Sequence, residues 1–362
     1  MTPGPPGTLR IVPSYPAVAT DSTVDSAVLL DRVTAIFERC GMSGADAHLV
    51  GDSLVVADVR GVHSHGVLRV PEYVKKLTVN GVNPLGKPRV VGGRGAVAVV
   101  DGDNAMGQVA CDFAMREAIT RASASGIAAV AVRGSNHCGA LFYFARKALA
   151  EDMIGVVTTN ALPTMAPWGG RDKILGINPM AVAIPSLNEA PIVFDAAFSA
   201  SSHGKLRVYH QKGQPIPEGW AFDRDGNPTS DPAKAIEGLL QPIGGFKGTG
   251  LAIISGMLSS RLSGAAFGTE LGNMVDGPRP GMDGQFVLAI DISAFEDTVR
   301  FRTRVDCAVR QVRESTPANG FTRCYAPGGL EHETEETYRR DGIPLSAETL
   351  EGLAQSEQML GL

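Results

Sequence analysis

The stretch "MAVAIPSLNEAPIVFDAA", residues 180–197, decides the fold. Two short β-type runs, "MAVAI" and "PIVFDAA", flank the turn-forming "PSLNEA". This is the pattern of two strands joined by a turn, a hairpin rather than a crossover. Working outward, upstream "AVAVVDGDN" is a short β run ending in turn residues, and "MGQVACDFAMREAITRASASG" is a helix. "IAAVAVRGSNHCG" and "IGVVTTNA" are buried-type strands with polar ends, separated by the helical "ALFYFARKALAEDM". Downstream, "HQKGQPIPEGWAFDRDGNPTSDPAKA" is a Gly/Pro-rich surface excursion, "LAIISGMLSSRLSG" a helix and "GQFVLAIDIS" a strand.

The flanks differ in texture. Thr23 to Val59 has a helical period throughout, with a capping-type start and a glycine stop, and the chain beyond "GQFVLAIDIS" is mostly helical. The mixture predicts an α/β or α+β fold, a sheet core with helices around it. The expected division is a flexible arm at 1–22, a mainly helical domain from 23–100 and 300–362, and a strand-rich α/β domain from 101–299.

Composition narrows the function classes. The 362 residues are 44% hydrophobic and 20% charged, with a formal net charge of -5. That is a soluble globule's balance, with no Lys/Arg run to suit nucleic acid and no apolar run to span a membrane. Five separated cysteines without a CxxC point to reduced thiols and a cytoplasmic setting. The proline-rich N-terminal segment does not have the pattern of a signal peptide.

Chemistry gathers at strand ends and in "RGVHSHGVLR", residues 60–69. Strands end in Ser135, Asn136 and His137, in Thr158, Thr159 and Asn160, and in Asp195, where α/β proteins place ligands; each alone equally suits a satisfied turn. Were a helix to begin near Gly66, His65 and Arg69 would share a face. An imidazole exchanges protons near neutrality, a guanidinium grips a carboxylate with two hydrogen bonds, and Ser64 would orient or relay. The plainer alternative is a capped helix start with a solvated His63. His63, His65, His137, Cys138 and Asp195 are metal-ligating types, but no second compact ligand pair accompanies the His-Ser-His spacing, so no metal is expected. No GxGxxG follows a strand and no GxxxxGK[ST] is present. "PIGGFKGTGL" offers Lys247 and a helix N-terminus near Gly250, which suit either a phosphate or a plain turn.

Taken together, "DVRGVHSHGVLRVPEYVKKL", "GDNAMGQVA", "VRGSNHCG", "TTNALPTMAPWGGRDKILGINPMAVAIP", "PIVFDAAFS", "KGQPIPEGWAFDRDGNPTSDP" and "GGFKGTGLA" resemble the malate/L-lactate dehydrogenase type 2 family over residues 24–330. The resemblance implies a helical domain plus a non-Rossmann cofactor domain on a largely antiparallel sheet, in a homodimer. It also implies hydride transfer between NADH or NADPH and C2 of a 2-oxo or 2-imino acid. Carried over by motif, His65 would be the acid/base, with Ser64 and Asp195 as its relay. Arg69 would hold the substrate carboxylate and His137 would lie beside the substrate. Asn160 and Ala161 would lie near the nicotinamide and Pro185 and Ser186 near the adenosine ribose. Phe246 and Lys247 would approach the phosphates, and Ala326, Pro327, Gly328 and Gly329 would close over the cofactor.

The sequence departs from the family's pattern at Cys138, Phe142 and Ile177, where Phe, Gly and Thr are usual, and at Gly329. Those changes suggest a substrate bulkier or less polar than malate. Ser186 and Glu189 pull in opposite directions on NAD against NADP. The rival expectations are a catalytically silent binding or scaffold protein of the same fold, and a zinc-dependent hydrolase.

Overall fold

A computed structural model describes residues 21–272 and 280–362. Residues 1–20 of the expected arm lie outside the described residues. Its last residue, Ser22, begins a strand: Ser22–Val24 pairs antiparallel with Ile343–Leu345. The first helix therefore starts three residues later than expected, as α1 (Ser26–Arg39), whose N-terminal amides of Ala27 and Val28 donate to Asp25 Oδ1. Leu29, Val33, Ile36 and Phe37 of α1 recur at helical spacing and are all fully buried. Each such side chain contributes about 1.5–3 kcal/mol of burial. Helix α2 (Gly44–Val59), capped by Ser43, packs on α1, and α3 (Val70–Thr78) follows.

The main sheet has seven strands: β1 (Arg89–Arg94), β2 (Val97–Asp101), β3 (Ile127–Ser135), β4 (Met153–Thr159), β5 (Met180–Ile184), β6 (Ile192–Ala196) and β7 (Asp283–Asp291). Their order is β1-β2-β3-β7-β4-β5-β6. Only the β2–β3 pair is parallel; the other pairs are antiparallel. The β5–β6 hairpin forms as expected, and in it Ala181 stands opposite Asp195. The sheet takes up residues 89–101 and so begins ahead of the boundary expected near residue 100. Helix α4 (Gly107–Ser125) covers β2, β3 and β7, and α5 (Phe246–Ser260) also packs on β3, β4 and β7.

A second, five-stranded sheet joins the 163–176 segment to the Gly/Pro-rich excursion, which is not bare surface loop. Helices α6 (Thr298–Arg313), α7 (Gly329–Asp341) and α8 (Ala347–Leu360) complete the chain. Three buried clusters result. One unites residues from 29–109 with 343–353, one lies around the main sheet, and one lies around the small sheet. No helix among the described residues is long and apolar enough to cross a membrane.

Candidate active site

The histidine motif does not open a regular helix. Two 3₁₀ turns, His63–His65 and Val67–Arg69, lead into α3, with Pro71 in its first turn where no N–H is needed. One buried group holds these turns. Asp58, in the last turn of α2, accepts the Val67 N–H at 2.7 Å through Oδ2, and His63 Nδ1 stands 2.7 Å from its Oδ1. Gly66 passes so close that an added Cβ would stand 2.1 Å from Asp58 Oδ1. The two histidines therefore part company. His63 turns to Asp58 and stacks at 6.1 Å on Tyr338 of α7, while His65 Nδ1 meets Ser64 Oγ at 2.9 Å.

Across from His65 lies His137, brought by the end of β3. The two rings stack with centroids 5.8 Å apart and planes 18° from parallel. His137 Nδ1 accepts the Gly139 N–H, so it acts as an acceptor; the Tyr73 hydroxyl, 2.7 Å away, donates to it. Gln108 Nε2 in turn donates to the Tyr73 oxygen at 3.2 Å. In the neutral ring the proton then sits on Nε2.

Arg69 completes the group. Its Nε donates to Ser64 O at 2.8 Å and its Nη1 to Glu72 at 2.9 Å, which leaves further N–H groups of its fork for an acid. Burial, aided by the Arg69 charge, pushes the His65 imidazole down to about 4. His137 is pushed well down by burial and by Arg69 and His65. Both rings are thus neutral at pH 7. The set is a proton-exchanging pair beside a fixed cation, suited to a small acid.

The remaining expected residues divide. Asp195 makes no hydrogen bond to Ser64 or His65 among the described residues. Its Oδ2 accepts the Phe142 N–H at 2.8 Å, so the expected relay is drawn only as far as Ser64. The Asn160 side chain is committed inside the protein, donating to Ala266 O and accepting from Gly284 N–H, and the Ala161 N–H donates to Asn178 Oδ1. Phe142 is not a pocket wall: it is 3% exposed, in the main core, with Arg60 stacked 5.1 Å from its ring centroid. Cys138 is buried in the same core, and Ile177 packs half-buried on the small-sheet cluster.

Pro185 and Ser186 sit at the hairpin tip, where Ser186 Oγ donates to Glu189 O. Asp306 of α6 accepts the N–H groups of Leu187, Asn188 and Glu189. Glu189 is held by Arg310 and Arg313, so its charge is already matched. Helix α5 starts at Phe246, not near Gly250, with Phe246 and Lys247 exposed in its first turn. The loop at Ala326–Gly329 is packed down on β6: Val193 N–H donates to Pro327 O, and Gly328 sits against Val193.

Sequence reasoning missed Asp58, Tyr73 and Gln108. Asp58 had a signal, a lone carboxylate in the apolar run "SLVVADV". Tyr73 and Gln108 had none, because their role is set by a contact between distant elements. No group of three or more His, Cys, Asp or Glu among the described residues is arranged to hold a metal ion.

Comparison with known proteins agrees with this architecture. A family described as malate/L-lactate dehydrogenase matches residues 24–354. The L-sulfolactate dehydrogenase of Methanocaldococcus jannaschii is 37% identical over 327 residues, covering 90% of this chain and 94% of that protein. A Pseudomonas putida Delta(1)-pyrroline-2-carboxylate/Delta(1)-piperideine-2-carboxylate reductase is 32% identical over 344 residues, covering 94% and 99%. The solved structure of the Methanocaldococcus jannaschii sulfolactate dehydrogenase superposes with a TM-score of 0.89 at 35% identity, covering 94% of this chain and 98% of that one. The fold and its relatives define an oxidoreductase of the dehydrogenase and reductase class. More narrowly, the chain belongs to the malate/L-lactate dehydrogenase family.

Proposed function

We propose that the protein transfers a hydride between a nicotinamide cofactor and C2 of a 2-oxo or 2-imino acid, with His65 as acid/base and Arg69 as carboxylate clamp. The observation that carries this reading is the stacked His65–His137 pair, with Ser64 on one ring and the Arg69 charge acting on both.

The chain's own groups fit such a cofactor at α5. The first-turn amides of a helix have no intrahelical acceptor, and here they lie at a glycine-rich entry beside the exposed Lys247. That entry tolerates only glycine at 248, where a Cβ would stand 2.2 Å from Ile243 O. Phe246, Lys247 and Gly248 would hold the phosphates, the Pro185–Ser186 turn the ribose, and Ala326–Gly329 would border the cofactor. When bound, the nicotinamide supplies or accepts the hydride.

Arg69 does more than grip. An acid seated on it offsets the charge that helps hold His65 near 4, so the imidazole gains basicity once substrate is bound. In reduction His65 then gives its proton to the nascent hydroxyl; in oxidation it takes that proton. Ser64 keeps the ring oriented through Nδ1, and His137 offers Nε2–H to the substrate. For the substrate, the departure at the half-buried Ile177 supports an acid bulkier or less polar than malate. Asp195 would act on this set only through Phe142 and its neighbours. A homodimer would follow the resemblance.

The test is a panel of 2-oxo acids, with and without ammonia or methylamine, and of cyclic imino acids, followed by loss of NADH or NADPH absorbance. Turnover with at least one acid is expected, and the pKa seen in kcat should lie above that seen in kcat/KM. Fluorescence showing no binding of either reduced cofactor would sink the reading and favour a silent scaffold.

A further inference from the structure

We propose that Asp58 is a positioning residue for His65, acting through the turn it holds rather than through substrate; the claim rests on the reading of His65 as acid/base. Asp58 is 1% exposed, lies at the end of α2, and is bonded to the turn that carries His65 rather than to His65 itself. Its two oxygens are used separately, one on the Val67 N–H and one on His63 Nδ1, so it ties together the residues on either side of Ser64–Gly66. Gly66 is packed against the same carboxylate, which leaves the turn a single path. That path carries Ser64 O to Arg69 Nε and Ser64 Oγ to His65 Nδ1. A shift of the turn therefore moves the acid/base and the clamp together.

An aspartate is chemically suited to this task. Both of its oxygens accept, so it satisfies an amide N–H and an imidazole N–H at once. Asparagine has the same shape but one acceptor. It would keep Val67 through its oxygen and meet His63 with its NH₂ only in the other imidazole tautomer. Alanine would leave the Val67 N–H buried without a partner. The groups facing His65 are Ser64 and Arg69 from its own segment and His137 from the end of β3; those facing His63 are Asp58 from α2 and Tyr338 from α7.

The experiment compares Asp58→Ala and Asp58→Asn in the full chain. It uses steady-state kinetics, reduced-cofactor binding by fluorescence, and NMR titration of the His65 imidazole. Asp58→Ala should lower kcat by about 10²-fold, the cost of a misplacement near 1 Å, while cofactor binding stays within about twofold. Freed from its place in the turn, His65 should titrate upward from about 4 toward its ordinary value of 6.5. Asp58→Asn should be milder than Asp58→Ala, losing about tenfold in kcat. It should shift His65 in the same direction by less. Wild-type kcat together with a wild-type His65 titration, in whichever variant folds, overturns the proposal. If the wild type turns over no acid of the panel, the functional reading fails on its own, and the His65 titration still decides the role of Asp58.

Discussion

Asp58 and Asp306 each hold a tight turn by accepting backbone N–H groups, one beneath the histidine turn and the other beneath the hairpin tip. Both are 1% exposed. Their carboxyls nevertheless move in opposite directions. Burial pushes Asp58 up and outweighs the help from His63 and Val67. Burial also pushes on Asp306, but the amides of Glu189, Leu187 and Asn188 outweigh it and hold this carboxyl below its usual range. The hairpin tip is backed by guanidinium groups: Arg302 donates to Ser186 O, and Arg310 and Arg313 pair with Glu189. The histidine turn is backed by an imidazole. The first arrangement is a carboxylate saturated by amides and flanked by charge pairs, and the second is a carboxylate shared between one amide and one imidazole. This suits the parts we assign them, a cofactor-side rim and a proton-transfer centre.

The strongest way to break the contrast is to remove the acid/base. His65→Ala should cut kcat by about 10²–10⁴-fold while cofactor affinity is kept, as measured by steady-state kinetics and fluorescence titration. Near-normal kcat would move the role to His137.

The next effect is on stability against pH. His65 is held near 4 in the folded chain and stands near 6.5 when unfolded, so the unfolded chain takes up the proton first. Its contribution is full above pH 6.5 and is lost as pH falls toward 4, amounting to about 3 kcal/mol. His137 acts in the same direction. Urea unfolding of wild type and His65→Asn across pH 4–7 reads the difference; parallel curves would refute the buried, neutral imidazole.

The clamp at the hairpin should respond differently. Asp306→Asn leaves one acceptor for three amides and should cost about 2 kcal/mol. It should weaken cofactor binding and leave the His65 titration unchanged; a shifted His65 would mean that the two regions are coupled. Smallest of all, Arg313→Ala breaks a pair whose arginine side chain is 46% exposed. The expected loss of stability is small and disappears in high salt. A larger, salt-independent loss would show that Glu189 is more than a rim charge.

Much of this was legible along the chain, and the reason differs from residue to residue. The β5–β6 hairpin, α4 and β3 are local patterns, and burial periodicity with turn residues specifies them before any long-range contact forms. Ser64 beside His65 is a neighbour effect and was equally plain. Asp195 was legible as a strand-end carboxylate, but its acceptance of the Phe142 N–H was not, because that contact joins separate elements. Phe142 was legible as a departure from the usual glycine, but its place in the main core, with Arg60 stacked on its ring, was not. Gly250 read as a helix start, yet the helix begins at Phe246, since paired glycines at 244 and 245 take positive φ and let the chain turn in earlier.

By itself the sequence determined the order of helices and strands, the antiparallel hairpin and the kinds of chemical group present, because periodicity, capping and turn chemistry act over a few residues. Only the tertiary structure decided which groups meet. It stacked His137 on His65, set Tyr73 and Gln108 behind it, and buried Asp58 beneath the turn. Those contacts join residues far apart in the chain, and their energies exist only once packing has excluded water from between them.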